Sequence, residues 1–543
     1  MSKVAHYLQE HLLGEVTASP EVRRHFAHDA SILRLAPAIV AYPRNENDVR
    51  KTARFCWQLA ERGRVLPITA RGGGSDTSGA ALGSGIMLVF TAHTNRILSF
   101  DTKKEMITVE PGVNFDKLEQ VLYTHGLFLP SYPTSSHYAT LGGSIANNAV
   151  GEKSVKYGPL GRHVRQLRVV LANGEVIETG RIGKKELNKK LGMSSFEGEI
   201  YRAIDGLLED NEQIIGEGRN RLKAIHNAAG YNVFDVKNKD GIDLAPLFIG
   251  SQGTLGIITE ATLDVIPHNP STHLAMVSLQ DLKDFHDVLP KILELEPSIF
   301  DMVSKSAIQQ VSRLNPHLLA GLVDHPASAI HLFVEFDFQK DLSQKRAIKK
   351  LQKIVEKVDG YITHDSRVSE QEKIWKIRES VSTILMHSQG QSKAVPVAED
   401  VSVPLTHLAE FLQKAAEIYG NAGLVAAAWG HAGDGIVRMQ PMLDLGQTGD
   451  RQKLFRVAES IYSTVIEMGG SITASAGDGR VRAPYVERMY GRDLYHVMEQ
   501  VKKIFDPYGI LNPGVKSATR EEVKGLMRGE YNLAHRHEHL PRS

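Results

Sequence analysis

Cysteine is almost missing from this chain. Cys56 is the only one in 543 residues, which excludes an internal disulfide and a cysteine-ligated iron–sulfur cluster. Any redox chemistry must therefore use another bound cofactor. Cys56 sits in the apolar helical run ARFCWQLA and reads as a small buried hydrophobe. Long apolar runs are missing too, for nothing approaches the ~18–20 continuous residues of a membrane span. The opening MSKVAHYLQEHLLGEV has neither the apolar core nor the cleavage site of a secretory signal. A cytoplasmic location is the expectation, with peripheral membrane contact left open. Charge of one sign is not in excess: 64 basic and 63 acidic residues give a net charge of +1. That is too little for a protein that holds nucleic acid through a basic field. The chain also lacks a G-x-x-x-x-G-K-[ST] phosphate loop, and no acidic residue stands ~20 residues beyond a strand–GxGxxG–helix unit. A nicotinamide dinucleotide fold is thereby disfavoured.

What remains is an ordinary globular composition, 42% hydrophobic and 23% charged, over a length that implies two or three domains. From Val40 short β-branched runs alternate with glycine-rich turns and helical stretches. AIVAYP reads as a strand and NENDVRKTARFCWQLAERG as a capped helix starting near Asn47. VLPIT, GIMLVF, RILSFD and MITVEPGV read as strands, FDKLEQVLYTHG as an amphipathic helix. VRQLRVVLANGEVIETG has the form of a hairpin turning at Asn173 and Gly174. LFIGSQGTLGIITEATLDVIP reads as strand, glycine loop and strand. After Pro267 apolar strands (HLAMVSL, AIHLFVEFDF) mix with charged helices such as LSQKRAIKKLQKIVEKV, as in a separate α+β domain. Residues 451–516 read as mainly helical, and 517–543 as a loosely held tail. Its three histidines, His535, His537 and His539, read as solvated.

Three glycine loops border these strands. The first is Arg71, Gly72, Gly73, Gly74 and Ser75, running on to Ser78 and Gly79. Consecutive glycines let backbone N–H groups converge on an anion, although a plain glycine turn has the same sequence. The second loop holds Thr140, Gly142, Gly143, Ser144 and Asn147; the third holds Gly253, Thr254, Gly256 and Ile257. Three such loops can line one long polar ligand.

VLPITARGGGSDTSGAA, YPTSSHYATLGGSIANNAVGEKSVKYG and LFIGSQGTLGIITEATLDVIP, in this order, resemble the FAD-binding domain of the vanillyl-alcohol oxidase / p-cresol methylhydroxylase family. The resemblance implies an α+β fold: a two-part FAD-binding domain over 1–268, a substrate or cap domain over 269–450, and a helical return segment over 451–516. It implies that the first loop holds the FAD pyrophosphate, the second the diphosphate and flavin region, and the third adenine and ribose. Members with covalent flavin often carry a His in the first loop. None is present here, so non-covalent FAD is expected.

IWKIRESVSTIL, VAEDVSVPL, WGHAGDGIVRMQPMLDL, GGSITASAGDGRVRAPYVERMYG and FDPYGILNPG extend the resemblance to the D-2-hydroxyacid dehydrogenases of that family, including the flavin subunit of glycolate oxidase. Arg378 and Lys393 stand where the family grips the substrate carboxylate, a task suited to the guanidinium fork. The family's H-x-G-D-G-N-x-H and G-E-H-G motifs supply a divalent metal site and a base. Here His431, Gly433, Asp434 and Gly435 match, but Ile436 replaces Asn, Arg438 replaces the second His, and Ser475 and Ala476 replace Glu-His. One imidazole does not make a transition-metal site, so no catalytic metal is expected. Arg438 can stand in for the metal's charge and His431 for the base; alternatively His431 and Asp434 only brace a glycine turn.

The resemblance thus implies an FAD-dependent oxidation of C–OH on a small anionic 2-hydroxyacid-like substrate. Electrons would go to an external acceptor, whether quinone, cytochrome or iron–sulfur partner. Two other readings stay open: a flavin subunit without turnover, and an enzyme acting on another alcohol such as a sugar or lactone. Oligomeric state is not legible.

Overall fold

The computed structural model describes residues 2–386, 391–396 and 398–531. Its N-terminal half contains two sheets. The first has the strand order Glu15–Thr17, Ile39–Tyr42, Ile86–Val89, Ile68–Arg71; the last three run parallel and Glu15–Thr17 antiparallel. Parallel strands need a crossover, and helix Glu46–Glu61 provides it. That helix starts just before the expected Asn47. Asn45, in an extended conformation, caps it by accepting the Asp48 amide, which places Asn47 inside the first turn. Cys56 is fully buried on its inner face, and burial pushes the thiol up to about 12.

The second sheet is antiparallel, in the order Ile97–Asp101, Met106–Val109, Ile257–Asp264, Val164–Val170, Val176–Glu178. Alternate residues of Ile257–Asp264 are buried, as a period of two requires when one face meets a core. The hairpin turns with Gly174 at φ 84°, and Asn173 accepts the Glu175 amide. The segment before the third glycine loop departs from the sequence expectation. It is a short helix, Ala245–Phe248, rather than a strand, with Pro246 in the first turn, where a missing N–H and fixed φ suit a helix start.

Beyond Pro267 lies an eight-stranded sheet. Its order is Tyr361–Asp365, His273–Leu279, Ile330–Phe336, Ile299–Ser304, Ala426–Gly430, Ile436–Leu443, Lys393–Ala394, with Val401–Ser402 also paired to Ile436–Leu443. His273–Leu279 and Ile330–Phe336 are buried along their whole length because both faces are covered. Leu274, Met276 and Phe333 pack with Ile374 and Ile377 of helix Val368–Met386; Ala275, Val277 and Leu332 point to the opposite core with Phe285 and Leu351. Each large apolar side chain withdrawn from water contributes about 1.5–3 kcal/mol.

One polar residue in this core titrates. His331 is buried, shares a hydrogen bond with Ser278, and its Nε2 has no partner; burial pushes it down from 6.5 to about 4. The unfolded chain binds the proton near 6.5 and the folded chain only near 4. Stability is therefore full above 6.5 and is lost as pH falls between those values, by about 3 kcal/mol from this group. Thermal midpoints at pH 7.5 and 4.5 should show His331→Asn losing less stability on acidification than the parent; equal losses would remove His331 from the account.

The halves are joined by ions. Lys153 lies 2.5 Å from Glu335, Lys156 lies 2.5 Å from Asp337, and Tyr157 donates to Asp337 at 2.7 Å. The return segment then ties the first half together. Asn512 donates to the carbonyls of Ala80 and Gln252, both at 2.9 Å, and accepts Thr69 Oγ1. The expected loose tail is packed through residue 531. Helix Arg520–Leu526 opens with a Thr519–Glu522 capping box, Arg528 donates to Leu33 and Asp29 carbonyls, and Tyr531 donates to Ala30. These contacts cross almost the full sequence, so a local reading had no access to them. His535, His537 and His539 lie outside the described residues.

Candidate functional site

A cavity of about 630 Å³ runs from the glycine loops to the eight-stranded sheet. Arg71, Gly72, Gly73, Gly74 and Ser75 line it, as do Thr140, Gly142, Gly143, Ser144, Asn147, Gly253, Gly256 and Ile257. Glycine is needed where loops touch: a Cβ on Gly72 would lie 2.0 Å from Thr140 Oγ1, and one on Gly73 2.1 Å from the Tyr138 carbonyl. Ser144 Oγ lines the cavity, buried and without a hydrogen-bond partner, a hydroxyl left over for a ligand oxygen.

Ser78, Gly79 and Thr254 are not among the lining residues. Ser78 donates to Asp76, Gly79 (φ 82°) packs on Leu33, and Thr254 bonds Tyr231 and the Ser251 carbonyl. Arg71 reaches the cavity wall but directs its guanidinium to the His28 and Ala81 carbonyls at 2.7 and 3.1 Å. Burial pulls it down to about 10. It shapes the first loop rather than offering a free fork.

Sequence reading missed Gln252, which links four loops. Its Nε2 lies 3.2 Å from Ser78 Oγ, 3.0 Å from Asn147 Oδ1 and 3.0 Å from the Ala476 carbonyl, and its Oε1 accepts the Gly479 amide at 2.8 Å. The signal was present only as a Gln inside a glycine loop. Gln252→Leu strands these buried groups, so affinity for the ligand of the three loops should fall roughly 10–100-fold. Fluorescence titration with that ligand would measure it, and unchanged affinity would make the hub dispensable.

At the sheet end, three charged residues form a buried cluster. Arg378 Nε donates to Asp301 Oδ2 at 2.7 Å, and His431 Nδ1 lies 2.7 Å from Asp301 Oδ1. Burial raises the Asp301 carboxyl, but the His431 and Arg378 charges outweigh it and hold the group below its ordinary value. The ionised carboxylate accepts from Nδ1; Nε2 is an acceptor when the imidazole is neutral and carries a proton as well in the charged form that holds Asp301 down. Nε2 faces Thr134 Oγ1 at 3.5 Å; Thr134 lines the cavity, whereas His431 stands behind it. Arg378 lines the cavity and is 2% exposed; its Nη2 lies 3.5 Å from Glu152 and has no hydrogen-bond partner. Asp301 carries no motif, and its alignment comes from strand Ile299–Ser304 lying beside Ala426–Gly430. Lys393 is on the edge strand opposite Leu443 and is not among the lining residues. His431 and Asp434 have separate partners: Asp434 accepts Ser154 and pairs with His226 at 2.9 Å, bracing the turn.

Arg438 lines the cavity one strand away. Its Nη2 is 3.3 Å from Ser475 Oγ and 3.4 Å from Asp400 Oδ1, and its Nε has no partner. Asp400 also accepts the amides of Ser475 and Ala476 and the hydroxyls of Thr473 and Ser475. Burial raises Asp400, and the Arg438 and Arg482 charges with these amides more than offset it. Glu399, unnoticed in the sequence, lines the cavity with one oxygen accepting Gln440 at 2.6 Å and the other unpaired. His431, Arg438, Ser475 and Ala476 offer one imidazole and a guanidinium. That set does not fit the divalent metal that the resembled motifs imply, and among the described residues no three His, Cys, Asp or Glu side chains could hold one.

Comparison with known proteins agrees with this two-part architecture. Residues 37–180 match the FAD binding domain family, and residues 268–515 match the FAD linked oxidases, C-terminal domain. The chain is 27% identical over 541 residues to D-2-hydroxyglutarate dehydrogenase of Pantoea ananatis (strain AJ13355), covering 96% of this chain and 52% of that protein. It is 27% identical over 487 residues to glycolate oxidase subunit GlcD of Bacillus subtilis (strain 168), covering 88% of each. It thus spans about half the length of the hydroxyglutarate dehydrogenase. In fold it is similar to p-cresol methylhydroxylase with substrate bound, at TM-score 0.69 and 16% identity, covering 96% of this chain and 97% of that one. The glycine-walled cavity and unpaired Ser144 hydroxyl fit the diphosphate of FAD, and the first loop has no His for a covalent bond. The chain thus joins an FAD binding domain over residues 37–180 to an FAD linked oxidase C-terminal domain over 268–515, with FAD as its cofactor.

Proposed function

We propose that this chain oxidises the C–OH of a small 2-hydroxyacid, hydride passing to flavin N5 and electrons leaving to an external quinone, cytochrome or iron–sulfur partner. Arg378 carries the reading: a buried guanidinium on the cavity wall, whose Nη2 has Glu152 at 3.5 Å but no hydrogen-bond partner, suits a carboxylate. FAD, when bound, supplies the two-electron acceptor. Arg378 orients the substrate carboxylate. Asp301 holds His431 in the tautomer whose Nε2 can take the hydroxyl proton through Thr134 Oγ1. Arg438, with its unpaired Nε, offsets negative charge developing on the substrate oxygen in place of a metal. Lys393, off the cavity wall on the edge strand, has no direct part in this reading. The names of the relatives point to a D-configured substrate.

One observation favours a flavin subunit without turnover: Asp400 takes up the donors of the 473–476 loop together with Arg438. Turnover with an artificial electron acceptor and identification of the product separate the readings. A 2-oxoacid formed from one enantiomer supports oxidation; an FAD-loaded protein forming none from any 2-hydroxyacid supports the silent subunit.

A further inference from the structure

Asp400 adopts φ 65°, a left-handed conformation uncommon for a residue with a Cβ. It breaks the alternation of extended chain, in which neighbouring side chains point to opposite faces. Glu399 and Asp400 therefore both turn toward strand Ile436–Leu443. Glu399 Oε2 accepts Gln440 Nε2 at 2.6 Å, and Asp400 Oδ1 lies 3.4 Å from Arg438 Nη2. Arg438 and Gln440, two residues apart on that strand, share the face on which the cavity opens.

Two polar atoms on this wall are left over. Glu399 lines the cavity, is 1% exposed, and its Oε1 has no hydrogen-bond partner. Arg438 Nε has none either, while its Nη2 is taken up by Ser475 and Asp400. A buried acceptor is costly to leave unmade, and this one faces a ligand cavity, so its donor belongs to a ligand. The missing group must donate to Glu399 beside a guanidinium that itself donates. A hydroxyl does both, giving its proton to Oε1 and its lone pairs to Nε. An ammonium has no lone pair and would bring a second positive charge to Arg438. A methyl satisfies neither atom.

We propose, resting on the 2-hydroxyacid reading, that Glu399 binds a second hydroxyl of the substrate, so that the cavity is built for polyhydroxy acids rather than alkyl 2-hydroxyacids. Arg438 faces the reacting oxygen in that reading, which puts the second hydroxyl on the adjoining carbon. An analogue without it leaves Oε1 stranded, and a site of this kind discriminates strongly.

The test uses holoenzyme reduced beforehand with dithionite, so that ligands bind without reacting. Quenching of fluorescence from Trp375 and Trp429, which line the cavity, reads binding. D-glycerate and D-2-hydroxybutyrate match in size and charge and differ only in a terminal hydroxyl against a methyl. Glycerate should bind about tenfold more tightly or better, the scale of one buried hydrogen bond left unmade. In Glu399→Met that preference should vanish. Glu399→Gln, whose amide oxygen can still hold Gln440, should lose several-fold of it and guards against a Met variant that does not fold. FAD carries hydroxyls of its own, so FAD affinity is measured alongside and should not change. A fall in FAD affinity with the ligand preference intact would assign the contact to the cofactor and overturn the proposal. So would parent protein that binds glycerate no better than hydroxybutyrate, or a preference unchanged in Glu399→Gln. In each case reduction of the oxidised flavin by any 2-hydroxyacid keeps the parent reading. No reduction by any of them fails that reading, and the proposal with it.

Discussion

Asp301→Asn should lower kcat/KM by roughly 10²–10³-fold while leaving FAD bound, because breaking one member of a buried charge pair costs about 2–5 kcal/mol. One carboxylate serves both Arg378 Nε and His431 Nδ1, at 2.7 Å each. An amide offers only one acceptor and turns an N–H₂ toward the other partner. Either the guanidinium loses its balancing charge or the imidazole loses its orientation. Flavin absorbance and thermal midpoint of the loaded variant distinguish this from unfolding. Full activity would mean that the cluster only packs the sheet.

Arg378→Lys should separate charge from geometry. Lysine keeps a positive charge but cannot span Asp301 and a ligand carboxylate with a planar fork. The expected loss in kcat/KM is roughly 10²-fold, the worth of a lost buried bidentate contact, and most of it should appear in KM. FAD affinity should not change, since none of the glycine-loop contacts involves this residue. A variant with normal KM would show that the substrate carboxylate lies elsewhere.

The sequence carried the glycine loops, the alternation in the sheets and the lost Glu-His pair, because each is local. That Asn45 is the cap of the helix expected to start near Asn47 is a matter of which side chain reaches the Asp48 amide. The helix Ala245–Phe248 reads as a strand because four apolar residues have no period to measure. Arg71, expected to face phosphate, serves carbonyls of residues 28 and 81, a pairing set by tertiary structure. Asp301, Gln252 and Glu399 were invisible for the same reason. Each is unremarkable in its own segment and acquires a role only when strands distant in sequence come together. The tail was misread because its anchor, Arg528, bonds to residues 29 and 33.

Anaerobic visible spectroscopy of the FAD-loaded protein, titrated with each enantiomer of 2-hydroxy monocarboxylates, tests the central claim most directly. The expected result is loss of the oxidised flavin band with one enantiomer, with a 2-oxoacid formed in equal amount. An oxidised flavin unmoved by every 2-hydroxyacid would contradict the claim.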